Sequence, residues 1–572
     1  MEQKRTSGFL AAALSLTVAI TLIFGVQPAW AFVEGDQSLL SDEEIEAAIE
    51  SGEVISPNDE GGVEALSEAA PTAVVEGTMM KTFSGANRYE TAALQATYGW
   101  QSSRYAVVAG GYGWPDALTA SSLAGALDCP VLLTPKEGLD ASASQALSSL
   151  GVSHVVVVGD ENAVSAAAAD AIGAKGIAVE RLGGADRYAT QMEIYRYGAD
   201  PSKNPEGRVL WGSDAVVLAS GVSPADALSA SPVAFCAKAP VFLADASCSL
   251  NADQLAALSS AGGFATALVM GDTNRVSKAA ESAAAAASGR TERFAGADRY
   301  DTSARVAKWG IQNGFLGSWE GSAFATGQNP ADALGGGALQ GRERSPLLLV
   351  DDGWCGYAMP NIKTVSSVKV FGDRYAVSGS IRMEIADTIN GMTYADIPGL
   401  KVYIDAGHGW NSSNNGVMDY GATGNGLTEW ELTKDLADRV GKKLKNEYGM
   451  DVYVNNTGGW YKLRQTDAYN RGCDLFVSIH FNASCGSGTE SYIHSYRADW
   501  KSADLQAKVH PSLVKAMGLR DRGTMDAEFA VCGGELPAVL LEVCFIDNAS
   551  DIRTYLGRKD AVAKAIASGI AS

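Results

Sequence analysis

Val402-Tyr403-Ile404-Asp405-Ala406-Gly407-His408-Gly409 reads as a short buried strand that stops on a glycine-flanked histidine. Apolar and β-prone residues supply the strand, and Gly407 and Gly409 open the backbone around an imidazole that can then face a ligand. By itself the pattern carries little weight, because a histidine in a glycine-rich loop is more often solvated or hydrogen-bonded than bound to metal. A second stretch, Leu475-Phe476-Val477-Ser478-Ile479-His480-Phe481-Asn482-Ala483, repeats it with a strand ending on His480. Two of the five histidines in the chain thus sit where a strand ends.

Between them, Leu427-Thr428-Glu429-Trp430-Glu431-Leu432 opens a helix predicted to reach about Tyr448, with Leu432, Leu436, Val440 and Leu444 on one face. Glu429 falls in its first turn, at the positive end of the helix dipole. Further on, Ala538-Val539-Leu540-Leu541-Glu542-Val543-Cys544-Phe545-Ile546-Asp547-Asn548 is an apolar strand that carries a carboxylate into its end. Strands joined by crossover helices predict a parallel α/β sheet, whose strand carboxyl ends share the edge where ligands bind. His408, His480 and Glu542 can converge there, with Glu429 reaching in from the helix start. Two neutral imidazoles and one carboxylate form the ligand set of a catalytic zinc with an open position, and such a site needs a further carboxylate as general base.

The ordered motifs Asp405-Ala406-Gly407-His408-Gly409, Asp419-Tyr420-Gly421-Ala422, Glu429, Ser478 to Ala483 and Leu541 to Asn548 closely resemble the zinc-dependent N-acetylmuramoyl-L-alanine amidases of the type-3 class, over residues 398–572. The resemblance implies a C-terminal α/β zinc amidase domain in which His408, Glu429 and His480 bind Zn2+ and Glu542 acts on the water. One departure from the family pattern stands out. Trp410 to Met418 looks like an insertion between the first histidine and the Asp-x-Gly-Ala motif, and it bears on the shape of the cleft rather than on the metal set.

At 572 residues the chain exceeds one ordinary domain, and its net charge of -21 argues against a nucleic-acid binder, which needs a basic face. Residues 1–31 carry Lys4 and Arg5, an apolar run from Phe9 to Val26 and Ala29-Trp30-Ala31, the pattern of a secretory signal cleaved after Ala31. The expectation is a secreted protein of the cell wall or surface, with no membrane attachment after signal removal. Residues 32–80 are acidic, hold few aromatics and have no Lys or Arg before Lys81, the composition of a disordered linker. Eight cysteines in an exported chain permit disulfides, but no zinc-knuckle spacing appears.

From residue 81 the chain repeats itself three times. Phe83-Ser84-Gly85-Ala86-Asn87-Arg88-Tyr89 recurs as Leu182-Gly183-Gly184-Ala185-Asp186-Arg187-Tyr188 and as Phe294-Ala295-Gly296-Ala297-Asp298-Arg299-Tyr300. Each is followed by an Asp-Ala-Leu helix start (Asp116, Asp226, Asp332), a proline-led apolar strand and a strand ending in Gly-Asp. The predicted architecture is three tandem small parallel α/β, Rossmann-like domains at 81–180, 181–290 and 291–395. A dinucleotide site at Gly110-Gly111-Tyr112-Gly113 is rejected, since Asp116 stands where the fingerprint needs its third glycine.

These repeats resemble the type-2 cell-wall-binding repeats of Gram-positive surface proteins, which implies non-covalent attachment to an anionic secondary cell-wall polymer beside the peptidoglycan substrate. Arg88, Arg187 and Arg299 are the candidate polymer contacts. The competing reading makes Asn87, Asp186 and Asp298 helix N-caps, so that each Arg-Tyr pair merely opens a helix. A strongly acidic chain is repelled by an anionic polymer, so retention must come from local cationic or hydrogen-bonding clusters. The functional expectation is an autolysin that cleaves the bond between N-acetylmuramic acid and L-alanine. The alternatives are a zinc peptidase acting on another peptidoglycan bond and a non-catalytic wall adhesin.

Overall fold

The computed structural model describes residues 79–112, 114–329, 331–351, 356–498 and 500–572, together with the short strands Phe32–Val33, Asp36–Leu39 and Val75–Glu76. The expected signal at 1–31 and nearly all of the acidic stretch at 32–80 lie outside the described residues. Contacts divide the chain into two units, one holding the repeats up to Lys401 and the other built on Val402–Lys443 and Val452–Gly569. No described helix is long and apolar enough to cross a membrane.

Each repeat begins with the helix that its Arg-Tyr pair opens: Arg88–Gly99, Arg187–Ala199 and Arg299–Gln312. Asn87, Asp186 and Asp298 are indeed the N-caps, each side chain accepting from the two backbone N–H groups that the first turn leaves free. Apolar four- to six-residue strands follow, such as Tyr105–Gly110 and Val131–Thr134, whose residues are all buried as expected of strands covered on both faces.

The sheets hold one more strand than each sequence repeat suggests, and it comes from the next repeat. In the first sheet the order is Val131–Thr134, Tyr105–Gly110, His154–Val158 and Ala178–Leu182, all parallel. The second runs Val241–Ala244, Ala215–Ser220, Phe264–Met270 and Ser288–Phe294, again all parallel. Boundaries placed at 180/181 and 290/291 therefore cut through strands that belong to the preceding sheet. The third sheet, Leu347–Val350, Ala323–Thr326 and Val368–Phe371, takes its parallel fourth strand from the start of the first repeat, Met80–Phe83, which Val75–Glu76 flanks antiparallel. The arrangement is cyclic: each sheet takes its fourth parallel strand from the start of another repeat.

Equivalent helices from the three repeats, Trp114–Leu127, Ser231–Ala237 and Gly336–Glu343, pack on one another. Small residues allow the approach: a Cβ on Gly125 would lie 2.3 Å from the carbonyl oxygen of Phe235, and one on Gly337 would lie 2.5 Å from Cβ of Ser231. Asp116, Asp226 and Asp332 sit at the junctions between repeats. Burial raises the pKa of all three, Asp116 to about 6, and is opposed by Arg187, Arg275 and the Thr91 hydroxyl respectively.

The second unit is a six-stranded mixed sheet in the order Asp451–Asn455, Lys401–Ala406, Leu475–Asn482, Ala538–Phe545, Thr489–His494, Asp521–Ala527. Its centre is parallel, while Thr489–His494 runs antiparallel to Ala538–Phe545. Helix Glu429–Tyr448 starts where the sequence places it, and Leu432, Leu436, Val440 and Leu444 are all buried.

Candidate metal centre

Strand Lys401–Ala406 is buried from Val402 onward and delivers His408 at its carboxyl end, in the left-handed region at φ 71°. A buried ion pair fixes that end. Asp405, with no exposed surface, accepts from Arg464 Nη1 at 2.9 Å and from the Ser478 hydroxyl at 2.7 Å. The same guanidinium donates to the carbonyls of Ala406, His408 and Gly459. Arg464 thus ties the histidine-bearing turn to a neighbouring loop, and its loss would strand a buried carboxylate, a change that costs about 3–5 kcal/mol.

His480 and Glu542 face each other in register across parallel strands, and Glu490 faces Glu542 across the antiparallel pair. Residues in register share a face of the sheet, so the three side chains form one row. The register slips between His480 and Asn482, an irregularity of the kind that re-aims side chains next to active sites. Glu429 enters from its helix start: Oε2 lies 2.9 Å from His408 Nε2 and Oε1 lies 3.0 Å from His480 Nδ1. Backbone N–H groups of Ala422 and Phe481 also donate to its two oxygens. Glycines make the close approach possible. A Cβ on Gly407 would sit 2.4 Å from the His480 ring, and one on Gly421, at φ 65°, would sit 2.6 Å from the His408 ring.

His408, Glu429 and His480 each offer a ligand atom, all within 4.8 Å of one another, and among the described residues they are the cluster that could hold a metal ion. Asp419 accepts from His408 Nδ1 at 3.0 Å, which leaves Nε2 facing the centre, the carboxylate–histidine arrangement that orients metal-bound imidazoles. Burial lowers the His408 pKa, but the bonds to Glu429 and Asp419 outweigh it and bring it to about 9. Burial likewise pushes Glu429 up, and the two imidazoles overcome it and hold the carboxylate far below its usual range. Two imidazole nitrogens and one carboxylate oxygen fit zinc's preference for three protein ligands and one open position.

Glu542 does not join the cluster of three. Its Oε2 is buried without a hydrogen-bond partner, and burial, then Glu429 and Glu490, raise its pKa well above the ordinary carboxylate value. A buried, unpartnered carboxylate oxygen beside a metal-type cluster is placed to exchange a proton with a ligand there. Glu490 itself accepts from Asn482, Tyr492 and Arg522, which fixes the charge next to Glu542. Sequence reasoning missed Arg464 and Glu490, because neither stands at a strand end flanked by glycine. The remaining histidines find local partners: Ser153 for His154, Ser491 and Asp521 for His510, and the N–H groups of Tyr496 and Arg497 for His494. Among the described residues, Cys129, Cys236, Cys248, Cys485, Cys532 and Cys544 form no disulfide.

In the repeats, Arg88, Arg187 and Arg299 each donate to a carbonyl at the end of a strand in the same repeat, that of Gly111, Gly221 and Gly327. This bond and the neighbouring N-caps give all three a structural task. Arg187 also lies over the ring of Trp114 from the preceding repeat, at 5.8 Å.

Residues 402–572 match the N-acetylmuramoyl-L-alanine amidase family, and 82–169, 181–281 and 293–382 match cell wall binding domain 2. N-acetylmuramoyl-L-alanine amidase LytC of Bacillus subtilis (strain 168) is 27% identical over 514 residues, which are 88% of this chain and 96% of that protein. The sporulation-specific N-acetylmuramoyl-L-alanine amidase of the same organism is 38% identical over 157 residues, 27% of this chain and 58% of its own length. Among solved structures, the catalytic domain of CwlV, an N-acetylmuramoyl-L-alanine amidase from Bacillus (Paenibacillus) polymyxa var. colistinus, aligns at 31% identity with a TM-score of 0.27, over 30% of this chain and 96% of that one.

Proposed function

Because the chain belongs to the N-acetylmuramoyl-L-alanine amidase family and carries three cell wall binding domain 2 repeats, we propose that it is an exported autolysin. Its substrate bond is the amide between the lactyl group of N-acetylmuramic acid and L-alanine in peptidoglycan. The observation that supports this most is the convergence of His408, Glu429 and His480 beside the unpartnered Glu542 oxygen. Zinc bound by those three residues would supply a Lewis acid for the scissile carbonyl and acidify water at the open position. Asp419 and Arg464 hold His408 in place, and Glu429 spans the two imidazoles. Glu542 takes the proton from the attacking water and hands it to the departing amine of L-alanine, the two halves of general base and general acid catalysis.

Mass spectrometry of digested peptidoglycan tests the bond. Released stem peptides should begin with a free L-alanine amine, with the matching lactyl carboxylate left on the glycan. A new amine on any other residue would point instead to a zinc peptidase, and absence of release by zinc-loaded protein would leave a wall adhesin.

The repeats provide attachment. Each guanidinium of Arg88, Arg187 and Arg299 spends one nitrogen on a carbonyl and keeps further N–H donors for an anionic wall polymer. Several weak sites on one chain then combine into firm retention. A fragment covering 75–395, long enough to keep the strand that completes the third sheet, should sediment with purified walls and be released by salt. Retention should be lost when the secondary polymer is extracted from the walls, and equal retention on extracted walls would assign the repeats to peptidoglycan.

A further inference from the structure

We propose that the hairpin inserted between His408 and Asp419 is a glycan platform, with the Trp410 ring stacking on an N-acetylhexosamine of the peptidoglycan strand. The inference rests on the amidase reading above and adds a subsite to it. Trp410 is 55% exposed, and Tyr420, two residues beyond its register partner Met418 and so on the same face, is 53% exposed. Large aromatic side chains left in water contribute little to the fold, so two rings on one face beside the site point to something that covers them.

The backbone beneath the two rings is held on both flanks. Gly409–Trp410 pairs antiparallel with Met418–Asp419, and the N–H of Asn411 donates to the Val417 carbonyl at 2.9 Å. The turn uses left-handed Asn411, Asn414 and Gly416, and the Gly416 N–H donates to the Asn411 side chain at 2.7 Å. On the other flank Trp410 N–H donates to Thr457, its carbonyl accepts from Gly459, and Ser412 accepts from Tyr461. A rigid support that exposes an aromatic ring binds without an ordering penalty.

Chemistry selects the occupant. From Gly409 to Met418 there is no charged residue, in a chain that is 19% charged. A stem peptide bears carboxylates, whereas N-acetylhexosamines are neutral and present an apolar C–H face that suits indole. Exposed Ser413, Asn414 and Asn415 add the hydroxyl and amide groups that pair with sugar hydroxyls and acetamido groups. Position agrees as well. Trp410 is two residues from His408, which limits their separation to about 7 Å of chain. Tyr420 lies between Asp419, bonded to His408, and Gly421, which abuts both His408 and Glu429. A sugar attached to an amide at the metal centre falls within reach of this surface.

Calorimetric titration of the full chain with a soluble N-acetylglucosamine oligosaccharide tests the platform without turnover. Trp410→Ala should bind about tenfold more weakly than wild type, and Trp410→Phe, which keeps a ring, should recover most of the loss. On a disaccharide-peptide substrate Trp410→Ala should raise KM by a similar factor with kcat held. Unchanged oligosaccharide affinity in Trp410→Ala would overturn the proposal, as would a loss confined to free stem peptide. Oligosaccharide binding through Trp410 in a chain that releases no L-alanine peptides would sustain the platform and overturn the amidase reading.

Discussion

Glu542→Gln should retain its metal and its hold on walls while turnover falls by about 10²- to 10⁴-fold, the range general acid–base residues supply. Gln keeps the shape and the place in the row with His480 and Glu490, but has no oxygen that can accept the water's proton. Zinc content by mass spectrometry and release of L-alanine peptides from walls are the paired measurements, and loss of the metal itself would make Glu542 a ligand. Linkage adds a second readout. Burial, Glu429 and Glu490 raise the Glu542 pKa in the fold, so the folded chain favours its protonated form. That preference supports the fold below the ordinary carboxylate pKa and is lost as pH rises through the raised value. Metal-free Glu542→Gln should therefore lose less thermal stability than metal-free wild type as pH rises out of the acid range.

The candidate site was legible because His408, His480 and Glu429 stand at strand ends and a helix start, where apolar runs break against Gly407, Gly409 and Thr428. What sequence could not supply was register. The row of His480, Glu542 and Glu490 exists only because the late strand Ala538–Phe545 inserts between Leu475–Asn482 and the earlier Thr489–His494, a non-local pairing with no local signature. Arg464 was invisible for a related reason: a buried guanidinium reads as a surface residue until Asp405 is placed beside it.

In the repeats, periodicity gave the number of domains and the N-caps, yet it did not show that the strand before each later Arg-Tyr motif pairs with the preceding sheet. Ala178–Leu182 and Ser288–Phe294 look like the start of a repeat because they precede the Arg-Tyr motif, and they pair with the repeat before. No residue pattern announces that Met80–Phe83 will cross to Val368–Phe371, since any parallel edge of the right length could accept it. The Asp-Ala-Leu motif gains a meaning only from this closure. Asp332 of the third repeat meets Thr91 of the first, so the buried carboxylates mark seams rather than a ligand site within each repeat.

His480→Ala should strip the metal and abolish lysis together. Loss of a mere supporting partner costs about 10–100-fold in metal affinity, and removal of a direct ligand costs more. Chelation of wild type should give the same loss reversibly, with zinc restoring lysis. The decisive comparison is His510→Ala. His510 is more buried than His480, at 4% exposed, and it spends both ring nitrogens on Ser491 and Asp521. Its removal leaves the buried Ser491 hydroxyl unsatisfied and should lower stability by about 1–3 kcal/mol while zinc content and peptide release persist. If the two variants lost metal equally, the effect of His480→Ala would be damage to the fold. If His480→Ala kept full activity without metal, the chemistry would have to run from Glu542 alone and the ligand assignment would be wrong.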